Sequence, residues 1–289
     1  MNAELRQPPR RHSQLRLFMF KAAESIARIL GGRRIYRELN LRAGRFDLRE
    51  EVVTLPASHT ELDGISIVQL SDIHAGPFLR DGDLQDVVKA VNALEPDLVV
   101  FTGDLICRDA DEAQLVLDDL AGITARGGFV AVFGNHDYRH RREGEIAATY
   151  KERGIRFLLN ESVRPLGPKS RLVVLGVEDL EEAKNLDISA ARAELRHDDF
   201  EIVLSHNPAG AQALLSPQTG LVLSGHTHGF QIDLPLFRTL GPHHPGDRVA
   251  VEGIPLITSH GLGVIGIPVR VRVRPEVVVV RLQVARGPS

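Results

Sequence analysis

Five short apolar runs in this 289-residue chain are each followed by side chains that can bind a metal ion or move a proton. The five blocks read LSDIHAG, FTGDLI, FGNHD, SHNP and SGHTHG. They supply Asp72, His74, Asp104, Asn135, His136, Asp137, His206, His226 and His228. This set of carboxylates, an amide and imidazoles contains no thiolate, so it suits divalent manganese, iron or zinc. A lone histidine is usually structural, whereas five histidines beside Asp and Asn at the ends of apolar runs indicate a functional site.

The spacing within two of these blocks is compatible with metal binding. Asp72 and His74 are two residues apart, and so are His226 and His228. In an extended chain such a pair points to the same side of the backbone, where it can hold one ion. Glycines beside the blocks fit either a close approach of the backbone to an ion or phosphate, or ordinary turns. These glycines are Gly76, Gly103, Gly134, Gly225 and Gly229.

The elements that must position these side chains alternate along the chain. From about residue 63, short apolar runs alternate with amphipathic stretches, a pattern typical of an α/β sheet covered by helices. The predicted strands cover residues 65–70, 98–101, 129–133, 172–175, 202–204, 221–223 and 276–284, and the predicted helices lie near residues 84–94, 113–120 and 145–152. If the ligand-bearing strands share one sheet core, their carboxyl ends lie along one edge, where open α/β sheets bind ligands.

The five blocks, in this order, resemble the calcineurin-like metallophosphoesterase superfamily, whose pattern is D-x-H, G-D, G-N-H-D or G-N-H-E, a later histidine and G-H-x-H. The likeness runs from about residue 63 to residue 282. It implies an α/β fold, a two-sheet β-sandwich flanked by helices, and a hydrolase with two divalent metal ions. By motif position, Asp72, His74 and His228 would hold one metal ion, Asn135, His206 and His226 the other, and Asp104 would bridge them.

The same resemblance implies catalytic roles for two residues of the FGNHD block. In the family the histidine of this block faces the phosphate, so His136 would stabilise developing charge or protonate the leaving oxygen. Asp137 fits two roles: it would orient the His136 imidazole, or it would make a hydrogen bond within the turn. The sequence leaves both roles open. The remaining histidines, His140, His243, His244 and His260, are expected on the surface or in loops, and of these four His260 is the candidate for substrate contact.

Departures from the family pattern narrow the class of substrate. Cys107 stands where purple acid phosphatases carry a tyrosine, and GDLICRD followed by GNHD differs from the motifs of protein Ser/Thr phosphatases. The segments GHTHGFQIDLP and SHGLG are most similar to bacterial membrane-associated phosphoesterases, some of which are UDP-2,3-diacylglucosamine pyrophosphatases. Phe230 replaces the last glycine of their GHTHGGQ motif. We therefore expect hydrolysis of a phosphodiester or phosphoric anhydride, small or lipid-linked; a phosphomonoesterase and a non-catalytic scaffold are the alternatives.

The N-terminal segment differs from the rest of the chain in charge. Residues 1–50 hold twelve Arg and Lys against five Asp and Glu, a net charge of +7 in a chain whose total is -3. Leu15, Phe18, Ala22, Ile26 and Ile29 recur at helical spacing and predict an amphipathic helix. We expect a basic segment over residues 1–50 and a catalytic domain over residues 51–289. The helix fits peripheral membrane contact through residues 13–30, but also packing on its own domain or on a second copy.

Composition bears on location and on partners. No run of about 18 apolar residues is present, so a spanning helix is not expected. The Arg10-Arg11 pair is followed by a charge-interrupted stretch, which does not favour a twin-arginine export signal. The single cysteine cannot form an intramolecular disulfide and fits a reducing compartment. We expect a cytoplasmic protein, or one peripheral to the inner face of the cytoplasmic membrane, and no coherent basic face indicates a nucleic-acid footprint in the main domain.

Overall fold

Two six-stranded sheets form the centre of the molecule. The computed structural model describes residues 14–183, 186–235, 243 and 246–285, with side chains from residue 21 onward. The strands are β1 (Asp47–Leu55), β2 (Ser66–Leu70), β3 (Leu98–Thr102), β4 (Phe129–Val132), β5 (Ile155–Phe157), β6 (Glu161–Val163), β7 (Leu172–Gly176), β8 (Phe200–Leu204), β9 (Thr219–Ser224), β10 (Arg248–Val251), β11 (Ile254–Thr258) and β12 (Glu276–Val284). The first sheet has the order β1-β12-β2-β3-β4-β5, and the second has the order β10-β11-β9-β8-β7-β6.

Most neighbouring strands are parallel, which places their carboxyl ends together. Strands β2 to β5 run parallel in the first sheet, and β7, β8, β9 and β11 run parallel in the second. The ligand-bearing strands are β2, β3 and β4 of the first sheet and β8 and β9 of the second. The five blocks are therefore divided between the two sheets. The carboxyl edges of both sheets therefore meet where the ligand-type side chains lie.

Burial of alternating apolar side chains holds the two sheets together. Ile67 and Val100 of the first sheet lie in the same buried cluster as Ile202 and Leu223 of the second. Each such side chain, when removed from water, stabilises the fold by roughly 1.5–3 kcal/mol. The outer faces of the two sheets form two further buried clusters with the helices and turns that cover them. The layers confirm the predicted two-sheet α/β sandwich flanked by helices.

The helices agree with the predicted ones in place but differ in regularity. They are α1 (Gln14–Ile29), α2 (Gly32–Tyr36), α3 (Gln85–Ala93), α4 (Leu117–Ala121), α5 (Glu143–Glu152) and α6 (Ile188–Ala191). The helix predicted near residues 113–120 begins as a 3₁₀ turn over Ala110–Val116 and continues as α4. Asp109 and Glu112 form a capping box at the start of that turn, which satisfies backbone N–H groups that the short turn leaves free.

The N-terminal helix is present, but it presents the opposite face to the domain. Ile26 and Ile29, from the predicted apolar stripe, are 58% and 85% exposed. Glu24, which is not part of that stripe, is only 1% exposed and forms an ion pair with Arg108. Packing of the stripe on its own domain is thus contradicted over residues 21–30. Leu15 and Phe18 lie outside the side chains that the structure describes, as do Arg10 and Arg11.

Residues that precede the predicted boundary at residue 50 take part in the main fold. Tyr36, Leu41 and Phe46 are buried in the core, and the Tyr36 hydroxyl donates to Leu262 O at 2.5 Å. Strand β1, which begins at Asp47, pairs in parallel with β12 along its whole length. The basic segment therefore joins the main fold well before residue 50. Among the described residues, no helix has the length and apolar character needed to cross a bilayer.

Candidate metal centre

The ligand-type side chains come together where the edges of the two sheets meet. They form two clusters that share Asp104, and within each cluster one ligand atom per residue lies within 4.8 Å of the others. The first cluster contains Asp72, His74, Asp104 and His228, and the second contains Asp104, His206 and His226. The amide oxygen of Asn135 lies 3.1 Å from His226 Nδ1, which places Asn135 at the second cluster.

One oxygen of Asp104 lies between the two clusters. Asp104 Oδ2 is 3.4 Å from His74 Nε2 and 3.3 Å from His206 Nε2. In the first cluster, Asp72 Oδ1 lies 3.4 Å from His228 Nε2. This arrangement has the connectivity of a site for two cations joined by one carboxylate.

The imidazole nitrogens of both clusters are arranged to suit cations. His74 Nε2 and His228 Nε2 are 3.0 Å apart, and His206 Nε2 and His226 Nδ1 are 3.1 Å apart. His206 Nδ1 lies 2.8 Å from Thr102 O, to which it donates, so the lone pair of Nε2 is directed at the cluster. Each neutral imidazole has only one N–H, so its other ring nitrogen carries a lone pair. Lone pairs that converge in this way can bind a shared cation.

The buried carboxylates also fit cation binding. Burial raises the pKa of Asp72 to about 7, and the neighbouring Asp104 carboxylate adds to the rise. Two carboxylates held this close and away from water repel each other as anions. Cations in the clusters would compensate both charges. The residues present therefore fit two divalent ions.

The backbone at the site is not extended. Asp72, His74, Asp104, His226 and His228 have φ angles of 49°, 48°, 58°, 71° and 52°. The left-handed region costs a non-glycine residue roughly 1–2 kcal/mol. The extended-chain interpretation of the Asp72–His74 and His226–His228 spacings is therefore wrong. His226 and His228 lie in different clusters, whereas an extended pair would have faced a single ion.

The hydrogen bonds of His136 show how its imidazole is held. Its Nδ1 donates to Cys107 O at 2.9 Å, and its Nε2 accepts from Arg139 Nη2 at 2.9 Å. Its ring packs edge-on against His74, with ring centroids 4.6 Å apart. Burial lowers the pKa of His136 to about 4, while Asp104 opposes that shift. The ring is neutral near pH 7 in this arrangement.

The side chain of Asp137 makes contacts within the turn. Its Oδ2 accepts from Gly134 N at 2.8 Å, and its Oδ1 accepts from Ile106 N at 3.0 Å. Of the two roles left open for Asp137, these contacts support the turn hydrogen bond, because the Cys107 carbonyl accepts from His136 Nδ1. Asp137 instead ties the FGNHD turn to the loop after β3.

Three site residues were missed by sequence reasoning. Arg139 donates to His136, and Glu181 Oε1 lies 3.7 Å from His226 Nε2. Asp179 accepts from the backbone N–H groups of Glu181 and Glu182, both at 2.9 Å, and burial raises its pKa to about 7. Asp179 and Glu181 follow β7, a predicted strand of the second sheet, so their position after a strand was the available signal.

The other residues noted in the sequence lie near the site or on the surface. His260 Nε2 lies 2.8 Å from Asp247 Oδ1, and its ring lies next to Gly229 of the HTHG turn. Substrate contact by His260 stays a prediction. Phe230 has φ 72°, so a bulky residue occupies a left-handed position where the resembling motif has glycine. His140 and His243 are exposed as predicted, and His244 lies outside the described residues.

Comparisons with known proteins agree with this geometry. A family model described as Calcineurin-like phosphoesterase matches residues 65–230. An uncharacterized metallophosphoesterase, YkuE of Bacillus subtilis (strain 168), is 32% identical over 236 residues, covering 76% of this chain and 80% of that protein. A transmembrane protein with metallophosphoesterase domain from Bos taurus is 31% identical over 241 residues, covering 78% of this chain. The match spans only 54% of the bovine protein.

A further relative is named for its activity. UDP-2,3-diacylglucosamine pyrophosphatase LpxG of Chlamydia muridarum (strain MoPn / Nigg) is 30% identical over 227 residues, covering 63% of this chain and 68% of that protein. The family match includes all five blocks and more than half of the chain. Together with the two clusters, these comparisons show that the chain belongs to the calcineurin-like phosphoesterases, a family of metal-dependent hydrolases.

Proposed function

We propose that this chain hydrolyses phosphodiester or phosphoric-anhydride bonds with two divalent cations, manganese, iron or zinc. The observation that supports this most strongly is the position of Asp104 Oδ2 between His74 and His206, 3.4 and 3.3 Å from their Nε2 atoms. Asp72, His74 and His228 would hold one cation, Asn135, His206 and His226 the other, and Asp104 both. When bound, such a pair lowers the pKa of a shared water and polarises phosphate oxygens.

Hydrogen bonds from the chain hold the two carboxylates in place. Ser71 Oγ donates to Asp72 Oδ2 at 2.5 Å, and the backbone N–H of His226 donates to both oxygens of Asp72 at 3.1 Å. The backbone N–H of His136 donates to Asp104 Oδ1 at 2.9 Å, which directs Oδ2 toward both clusters. Ligands that are already oriented need little rearrangement when an ion or a charged transition state forms.

The relatives support a substrate with a phosphoanhydride. Two of them, from Chlamydia muridarum and Chlamydia trachomatis, are UDP-2,3-diacylglucosamine pyrophosphatases, and they are 30% and 28% identical to this chain. We propose a small or lipid-linked pyrophosphate or phosphodiester as the substrate class. A phosphomonoester is the alternative within the same chemistry. A metal-stabilised scaffold without catalysis is less compatible with the retained His136.

The N-terminal helices support a location at a membrane surface. An exposed group of side chains, called here the apolar patch, consists of Ile26, Ile29, Leu30, Ile35 and Leu39. Arg28 and Arg34 are exposed within the same segment. Apolar side chains flanked by cations favour the interface of a bilayer with anionic headgroups. We propose that the protein lies on the inner face of the cytoplasmic membrane through this patch.

Hydrolysis by metal-stripped protein tests the catalytic part of the proposal. Bis-p-nitrophenyl phosphate and p-nitrophenyl phosphate are offered after manganese, iron, zinc or magnesium is restored. We expect diester cleavage that depends on added metal. Asp104→Asn should lose both activity and bound metal, whereas His136→Ala should lose activity and keep its metal. Normal turnover by Asp104→Asn would overturn the assignment of the centre.

Vesicle co-sedimentation tests the membrane part. We expect the full chain to bind vesicles that contain phosphatidylglycerol more strongly than pure phosphatidylcholine vesicles. The double change Ile26→Glu and Ile29→Glu should abolish binding, because it places two anions in the apolar patch. Leu48→Glu is the matched control, since Leu48 is an exposed apolar residue on β1. Equal binding by the double variant and the control would refute the membrane surface.

A further inference from the structure

The guanidinium of Arg139 lies directly beside the candidate metal centre. Its Nη2 donates to His136 Nε2 and its Nη1 donates to Cys107 O, both at 2.9 Å. The His136 ring in turn packs against the ring of His74, with ring centroids 4.6 Å apart. One imidazole thus separates the cation from a candidate metal ligand. Arg139 is also exposed, so an incoming substrate can reach it.

The charge of Arg139 is not compensated by the surrounding chain. Within the part of the chain that the structure describes, Arg139 forms no ion pair with a carboxylate, whereas its neighbours Arg141 and Arg142 pair with Glu182 and with Glu145. A guanidinium has five N–H donors, and the two contacts above use two of them. An uncompensated cation with free donors is suited to bind a phosphate group.

The hydrogen bonds of His136 limit what the imidazole itself can do. A carbonyl only accepts and a guanidinium only donates, so Nδ1 carries the proton and Nε2 carries a lone pair. In this geometry the ring offers no proton to a leaving group. An alcohol leaving group needs such a proton, but a leaving phosphate is already a stable anion near neutral pH. The arrangement therefore favours a leaving phosphate.

We propose that Arg139 binds the departing phosphate of a phosphoanhydride substrate and gives the site its preference for such substrates over diesters of a single phosphate. This inference rests on the proposed function. In the step, a water oxygen forms a bond to the attacked phosphorus, and the bond from that phosphorus to the bridging oxygen breaks. The electron pair stays on the bridging oxygen, which becomes a terminal oxygen of the departing phosphate, and a proton of the water passes to solvent. Arg139 stabilises the charge on that oxygen.

A purely positional role makes a different prediction for Arg139. If it acts only by holding the His136 ring, its removal affects every substrate to the same extent. If it contacts the second phosphate, its removal affects a phosphoanhydride far more than a diester with one phosphate. The ratio of kcat/KM for the two kinds of substrate therefore separates the roles.

The test compares the full-length wild type with Arg139→Gln, Arg139→Lys and Arg142→Gln. Arg142→Gln is the matched control, because it removes the same charge at a position three residues from Arg139. Arg142 is already paired with Asp111 and Glu145. ADP-ribose serves as the phosphoanhydride and bis-p-nitrophenyl phosphate as the single-phosphate diester. We expect Arg139→Gln to lower the ratio of kcat/KM values, anhydride over diester, by about 10- to 100-fold. Arg139→Lys should recover part of the loss, and the control should leave the ratio unchanged.

A binding measurement without metal keeps this inference separate from the proposed function. Titration of chelated protein with inorganic pyrophosphate should show binding at least about tenfold weaker for Arg139→Gln than for the wild type and the control. Unchanged pyrophosphate binding, or equal losses on both substrates, would overturn the role of Arg139. If the wild type cleaves neither substrate with any metal, the proposed function fails, and the pyrophosphate titration still decides whether Arg139 binds phosphate.

Discussion

Gly103 lies between β3 and the shared carboxylate Asp104. Its backbone is important both for packing and for metal binding. Its φ is +98°, and an added Cβ would lie 2.7 Å from both Gly134 N and His206 Nδ1. An alanine at this position would therefore be strained and would also overlap two neighbours. We predict that Gly103→Ala destabilises the protein and weakens binding at the second cluster.

The size of the effect follows from two contributions. A left-handed backbone costs an alanine roughly 1–2 kcal/mol, and overlap in a packed interior typically adds about 1–3 kcal/mol. Gly64→Ala is the matched control, since Gly64 has φ +83° and no atom within 4 Å of an added Cβ. The control should lose only the strain contribution.

Urea denaturation and metal titration together decide the matter. We expect Gly103→Ala to unfold with a free energy about 1–3 kcal/mol below that of Gly64→Ala. It should also bind one of two metal equivalents more weakly, because His206 is displaced. Equal free energies of unfolding for the two variants, with full metal binding by both, would show that the close approach of Gly103 and His206 is not a constraint.

Three further predictions concern the metal-free state and the HTHG turn. Burial raises the pKa values of Asp72, Asp137 and Asp179 to about 7, above the unfolded value near 3.9, and lowers those of His74, His136 and His228, so the two groups have opposite effects on stability below about pH 6.5. The contribution of the carboxyl groups is lost as pH rises through about 7, so the chelated protein should melt lower at pH 8 than at pH 6. A higher Tm at pH 8 would contradict this sign. Protein at a free-ion concentration of 100 Kd should be more stable than chelated protein by about 2.7 kcal/mol per site, or roughly 5–10 °C in Tm by calorimetry. An unchanged Tm would mean that the ions do not prefer the folded state. Phe230→Gly should be about 1 kcal/mol more stable than Phe230→Ala in urea, because only glycine relieves φ 72°, and the reverse order would argue against strain there.

The strands could be predicted because a strand that is buried on both faces is a continuous apolar run. Strand β12 was predicted at Glu276–Val284, its observed bounds, and β2 and β3 were each predicted to within one residue at either end. The ligand residues were found for a related reason: each follows such a run, and polar side chains at that place have few structural uses. The apolar runs do not indicate which sheet each strand belongs to, because that depends on pairing between distant strands.

The missed features depend on tertiary partners. The orientation of α1 is set in part by the Glu24–Arg108 ion pair, whose members are 84 positions apart, so helical periodicity alone gave the wrong face. Arg139 does not differ in the sequence from the many other arginines, because what distinguishes it is the absence of a paired carboxylate in the described structure. The role of Asp137 was open in the sequence, since a carboxylate beside a histidine can bind either backbone or imidazole.

The placement of the metal centre between two sheets explains why strained residues persist there. Five ligand residues have positive φ, at roughly 1–2 kcal/mol each, in a fold whose total stability is on the order of 5–15 kcal/mol. Such strain survives only where the surroundings determine the backbone, and here both sheet edges do so through contacts such as His206 Nδ1 to Thr102 O at 2.8 Å. Because the second cluster draws Asp104 from the first sheet and His206 from the second, an ion bound there crosslinks the two sheets. Metal binding and sheet packing are therefore coupled, and a change that loosens either one should weaken the other.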